Sequence, residues 1–104
     1  MGKFVLAYRG GSMAETDAEQ QEVMTQWMNW FGALGDAVVD GGNPFGPSAT
    51  VSSDGSVKDG SPSSLTGYSI VNAETLAEAC DKAKGCPVLA SGGSIDVYEA
   101  VPIG

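Results

Sequence analysis

The chain has 104 residues, 42% of them hydrophobic, with thirteen acidic residues against five basic ones, no histidine and a formal net charge of −8. That length and apolar content suit a single folded domain over 1–104 rather than a disordered tail. Five cations are too few to track a phosphate backbone or to hold an anionic bilayer. The balance therefore argues against nucleic acid and membrane surfaces as partners, and solubility is the simplest reading of the acidity.

The first residues, MGKFVLAYRGG, hold an apolar run far too short for a signal peptide or a membrane span, so a cytoplasmic protein is expected. Within KFVLAYR (3–9), Phe4, Leu6 and Tyr8 share one alternating face while Val5 and Ala7 share the other. Such two-sided apolarity predicts a central strand, ended by Gly10-Gly11. Thr16-Asp17-Ala18-Glu19 is a capping box, and its two carboxylates suit the positive end of a helix dipole. The helix expected after it carries Val23, Trp27, Trp30, Phe31 and Leu34 at three- and four-residue spacing, with Met24 and Met28 widening the stripe. Gly32 weakens it by about 1 kcal/mol relative to alanine. Gly35 supplies the left-handed residue past its end.

Residues 36–40 (DAVVD) read as a second strand, running into GGNPFGP at 41–47. Gly41 and Gly42 permit a sharp exit from the sheet, with at least one of them at positive φ, and Pro44 and Pro47 stiffen the departing segment. Phe45 is an apolar tip that must cover something, either the mouth of a cleft or a partner subunit. Asp54-Gly55 signals a hairpin, 61–64 a loop, and LTGYSIV (65–71) a further two-sided strand. Asn72 is the expected N-cap of a helix over 73–84, with Leu76, Ala79, Cys80 and Ala83 as its narrow apolar stripe and Glu78–Lys82 paired one turn apart. Gly85 and Pro87 stop that helix. A last strand over 94–101 puts Ile95, Val97 and Val101 on one face. Glu99 falls on that same face, so it meets a polar pocket or a bulge reverses the strand.

The order strand, helix, strand with an extra hairpin, strand, helix, strand predicts an α+β fold. Specifically, it predicts a ferredoxin-like βαββαβ sandwich with an inserted hairpin and with the two-sided strands in the centre. Two helices cover one face of a four-stranded sheet. A second copy of the sheet is the simplest cover for the other face, so a homodimer is expected.

Chemistry is bounded mainly by exclusion. Without histidine there is no Ser-His-Asp or Cys-His catalysis and no histidine metal site; two cysteines cannot make a four-cysteine zinc site. No Gly-Lys-Ser/Thr follows the glycine pairs, so a phosphate loop is excluded. No metal and no cofactor are expected. Cys80 lies in an apolar stripe and Cys86 follows a helix C-terminus, so neither suits a nucleophile. Asp40, ending an apolar strand beside two glycines, is the candidate catalytic acid/base, with a turn-capping role as the alternative. Arg9 is the only arginine. It could anchor a carboxylate ligand through its planar fork or pair with a neighbouring acid. Tyr8, Tyr68 and Trp27 are candidate ligand contacts, weighed against ordinary strand and helix packing.

KFVLAY, the block WMNWFGALGDAVVDGG at 27–42, NPFGP, Asp59-Gly60, LTGYSIV and GGSIDVYEAVPI occur together, spanning nearly the whole chain. In this combination the sequence resembles the YCII-related family, including its DGPF-type branch. That resemblance implies a dimeric α+β barrel with a cleft between sheet and loops; most members have no established activity, and a few act on small organic molecules. A His-Asp pair suggested for some members has no counterpart here, and Ser-Pro-Ser-Ser stands after Asp59-Gly60 in place of Pro-Phe. The leading expectation is a homodimer binding a small organic molecule in a cleft. The alternatives are a lyase- or isomerase-like enzyme using Asp40 and Arg9, and a non-catalytic structural or protein-interaction module.

Overall fold

The computed structural model describes residues 2–10 and 16–103; Gly11, expected to help end the first strand, lies outside them. Strand β1 (Gly2–Arg9) leads to helix α1 (Asp17–Leu34), a 3-10 turn at Gly35–Ala37 and the short strand β2 (Val38–Asp40). Strands β3 (Ala49–Val51) and β4 (Val57–Asp59) form a separate hairpin. Strand β5 (Leu65–Ala73), helices α2 (Leu76–Ala83) and α3 (Pro87–Ala90), and strand β6 (Ser94–Ala100) complete the chain. Four strands make one antiparallel sheet in the order β2-β5-β1-β6, so the two strands with apolar residues on both faces are the inner ones. The sheet is open: its edges β2 and β6 do not pair with each other.

Thr16 caps α1 as the sequence predicts, its Oγ1 accepting the Glu19 N–H at 3.1 Å. Gly35, at φ 57°, closes α1 by donating its N–H to the Phe31 carbonyl. Trp30 is the buried residue of this helix, and its indole Nε1–H donates to the Lys82 carbonyl at 3.0 Å, tying α1 to α2. Met24 and Met28, by contrast, are exposed and do not widen the core stripe. At 3.6 residues per turn Met28 turns away from Trp27 toward solvent, while Met24 flanks Phe31, seven residues on, at the edge of the stripe.

The second helix departs further from expectation. Asn72 remains in β5 opposite Lys3, and Thr75 is the N-cap, accepting the Glu78 N–H at 3.1 Å. Thr75-x-x-Glu78 is itself a capping box, a stronger signal than a lone asparagine. The Glu78–Lys82 pair forms at 3.6 Å, while Leu76 is exposed. Pro87 stops α2 but also starts α3, where its missing N–H costs nothing at the first helical position.

The core lies on one side of the sheet. Phe4, Leu6 and Tyr8 of β1 and Val71 and Ala73 of β5 pack against Trp30, Ala79, Ala83, Cys86 and Val88. On the opposite face Val5 stands between Ile70 and Tyr98, and Ala7 between Tyr68 and Asp96. Among the described residues no helix covers this face. The radius of gyration, 15.1 Å, exceeds the roughly 13 Å of a compact domain this long, and the shortest extent is 18 Å. Glu99 keeps the face of Val97 because β6 runs against β1 without a bulge; lying near the end of the edge strand, it is exposed. Also among the described residues, no helix is long and apolar enough to cross a membrane.

Candidate functional site

A cavity of about 510 Å³ lies between α1, the sheet and the segment leaving β2. Tyr8 comes from β1, Trp27 and Phe31 from successive turns of α1, Val88 from α3, and Gly41 to Pro44 close the remaining side. Tyr8 and Trp27 meet edge to face at 5.2 Å, and Trp27 continues to Phe31 at 5.8 Å, so the aromatic walls brace one another. A more open chamber of about 700 Å³ adjoins it, sharing Val23, Trp27, Pro44, Thr66 and Val88 and adding Glu19, Glu22 and Gln26 from α1.

The glycine pair makes this enclosure. Gly42 has φ 77°, and a Cβ there would stand 1.6 Å from the Tyr68 carbonyl oxygen, so only glycine lets the chain cross β5 so closely. From that point the segment follows the start of β5. Phe45 N–H donates to the Thr66 carbonyl at 2.9 Å, Tyr68 N–H donates to the Asn43 carbonyl at 3.3 Å, and Pro44 bridges Gly67. Gly67 is likewise tight, with the Asn43 carbonyl oxygen 3.1 Å from where a Cβ would be. Thus the proline-flanked stretch is laid along the sheet edge, with Asn43 and Pro44 against the cavity.

Beneath it runs a buried polar chain. The Tyr8 hydroxyl donates to Ser69 Oγ at 2.6 Å, and the Ser69 hydroxyl donates to the Gly41 carbonyl at 2.7 Å. The buried Cys86 thiol lies beside Tyr8 in the same core. Burial pushes the thiol up to about 11, only partly offset by the Val88 backbone and by Tyr8. Burial also raises the Tyr8 phenol, against the opposing Ser69 hydrogen bond. Both groups therefore stay protonated near neutral pH and serve to order the cavity floor.

The residues singled out in the sequence divide between two places. Tyr8 and Trp27 come together in the cavity wall, with Tyr68 at its rim, stacked on Phe45 at 5.7 Å. Arg9 lies on the other face of the sheet and pairs with Asp96 across β1 and β6. Asp40 Oδ1 accepts the Gly42 N–H at 2.8 Å, which is the turn-capping role, and the residue is exposed. It does not meet Arg9, since β5 separates their strands. The sequence reading missed Asn43, Pro44, Thr66, Gly67 and Val88 as cavity residues. Only Gly41-Gly42 followed by Asn-Pro hinted that the backbone itself would form a wall.

Among the described residues that bound the inner cavity, Tyr8 and Tyr68 alone are titratable, and the Tyr68 side chain alternates to the far face of the sheet. No cluster of three or more His, Cys, Asp or Glu able to hold a metal occurs among the described residues either. Together fold and site define an α+β protein with an aromatic, uncharged cavity between its first helix and its sheet. No family model, curated protein or solved structure matches the chain.

Proposed function

We propose that this protein binds a small organic molecule in the cavity walled by Tyr8, Trp27 and Phe31. The observation carrying this reading is a half-open cavity of about 510 Å³ with aromatic walls and a hydrogen-bonded floor, within the usual size of small-molecule sites at about 300–1,000 Å³. An enzyme built on Asp40 and Arg9 is less well supported, because both carboxylate and guanidinium are engaged elsewhere and neither bounds the cavity.

The same proposal includes a ferredoxin-like sandwich, related to the YCII group and working in the cytoplasm as a homodimer that shares an α+β barrel. In its favour, the strand order β2-β5-β1-β6, with helices after β1 and β5, follows the ferredoxin-like pattern. The helix-free face, with its half-buried Val5 and Ile70 and its exposed Tyr98, favours pairing with a second copy.

Native mass spectrometry of freshly purified protein tests the binding reading. A small organic adduct released on denaturation, and lost when Val88→Trp fills the cavity, is the expected result. A bare chain mass, together with no calorimetric response to a panel of small aromatic and aliphatic compounds, overturns it.

A further inference from the structure

Resting on that binding reading, we propose that the ligand is an organic cation: an amine whose apolar body enters the inner cavity while its ammonium group stays in the outer chamber beside Glu22. Three observations converge on this choice. First, among the described residues no lysine or arginine bounds either chamber. Of the five basic residues, Arg9, Lys82 and Lys84 are paired with Asp96, Glu78 and Asp81, and Lys3 and Lys58 lie on strands away from the cavity. A carboxylate or phosphate ligand would find no counter-charge and would enter against the field of a chain at −8.

Second, the polarity of the combined space is graded along one helix. Trp27 and Phe31 wall the inner cavity, Val23 and Trp27 belong to both chambers, and Glu19, Glu22 and Gln26 bound the outer one. Glu19, Glu22 and Gln26 follow one another at three and four residues on one ridge of α1, and Val23, Trp27 and Phe31 at four on the adjacent ridge, so the outer chamber meets the acidic ridge and the inner cavity the apolar one. Asp17 and Glu19 in the first turn offset the positive helix end, which would otherwise favour an anion there. Third, Trp27, whose indole meets Tyr8 and Phe31, is common to both chambers. An ammonium group at the junction meets aromatic rings as well as a carboxylate, and ring faces attract cations.

Calorimetry with a charge series of nearly equal shape tests this at low ionic strength: 3-phenylpropan-1-amine, 3-phenylpropan-1-ol and 3-phenylpropanoate. The amine is expected to bind tightest, at least about threefold above the alcohol, with the carboxylate weakest. Glu22→Gln, an exposed substitution, should bring the amine within about twofold of the alcohol and leave the alcohol unchanged. Added salt should narrow the same gap. An alcohol that equals the amine, or a carboxylate that binds best, overturns the cation assignment while leaving the cavity as a binding site. Failure of all three to bind overturns the binding reading, and the cation assignment with it.

Discussion

Gly41 and Gly42 are chemically identical neighbours that the fold uses in different ways. At Gly41 a Cβ would rest 3.8 Å from the Phe31 ring, an ordinary contact. At Gly42 it would collide with the Tyr68 carbonyl while the backbone sits at φ 77°. Gly41→Ala is therefore expected to shift stability by less than about 0.5 kcal/mol. Gly42→Ala should cost more than the roughly 1–2 kcal/mol of left-handed strain alone, because residues 42–45 must also lift from β5. Urea unfolding of the two variants checks this, and equal midpoints would show that the crossing at Tyr68 is not tight. The doublet was visible in the sequence, and so was the need for positive φ at one of its members. Which member it is depends on the carbonyl of a residue twenty-six positions away, and no local pattern encodes that.

Among the elements, α3 is held by what its first residues touch. Cys86, at its N-cap position, is buried beside Tyr8 of β1, which in turn bonds Ser69 of β5. Both titratable groups of this chain are raised in the folded state, the thiol from an ordinary value of 9.0 to about 11. As pH climbs past about 9 the unfolded chain loses these protons first, so the folded state binds more of them and stability falls. The urea midpoint should hold steady up to about pH 8.5 and decline toward pH 11; Cys86→Ala should flatten the first part of that decline. A midpoint unmoved at pH 10.5 would mean that water reaches the thiol. Element identity was largely legible: the two-sided apolar strands, the Thr16 capping box and the Asp54-Gly55 hairpin all announce themselves by spacing. The four-residue α3 did not, because Pro87–Ala90 is shorter than two turns and carries no periodicity to read. For the same reason Val88 was invisible as a cavity wall.

At the scale of the whole molecule, the single helix layer leaves one side of the sheet to another copy or to water. Tyr98, 61% exposed, stands beside Val5 on that side, with Ile70 on the next strand beyond it. If two sheets pack there, sedimentation at micromolar concentration should give twice the chain mass, and Tyr98→Glu should yield monomers that keep their secondary structure, since the ring contributes little to the fold of one chain. A folded monomer of the unsubstituted chain under those conditions would sink the shared-barrel proposal. The stacked pair Phe45–Tyr68 bears on this assembly as well. Asn43 and Pro44 bound the cavity, the next residue stacks on Tyr68, and Tyr68 alternates away from Ser69 toward the helix-free face beside Ala7. Three consecutive residues thus belong to both sides of a sheet one layer thick. If ligand binding shifts this strap, thermodynamic reciprocity requires that pairing at the far face change ligand affinity by the same factor.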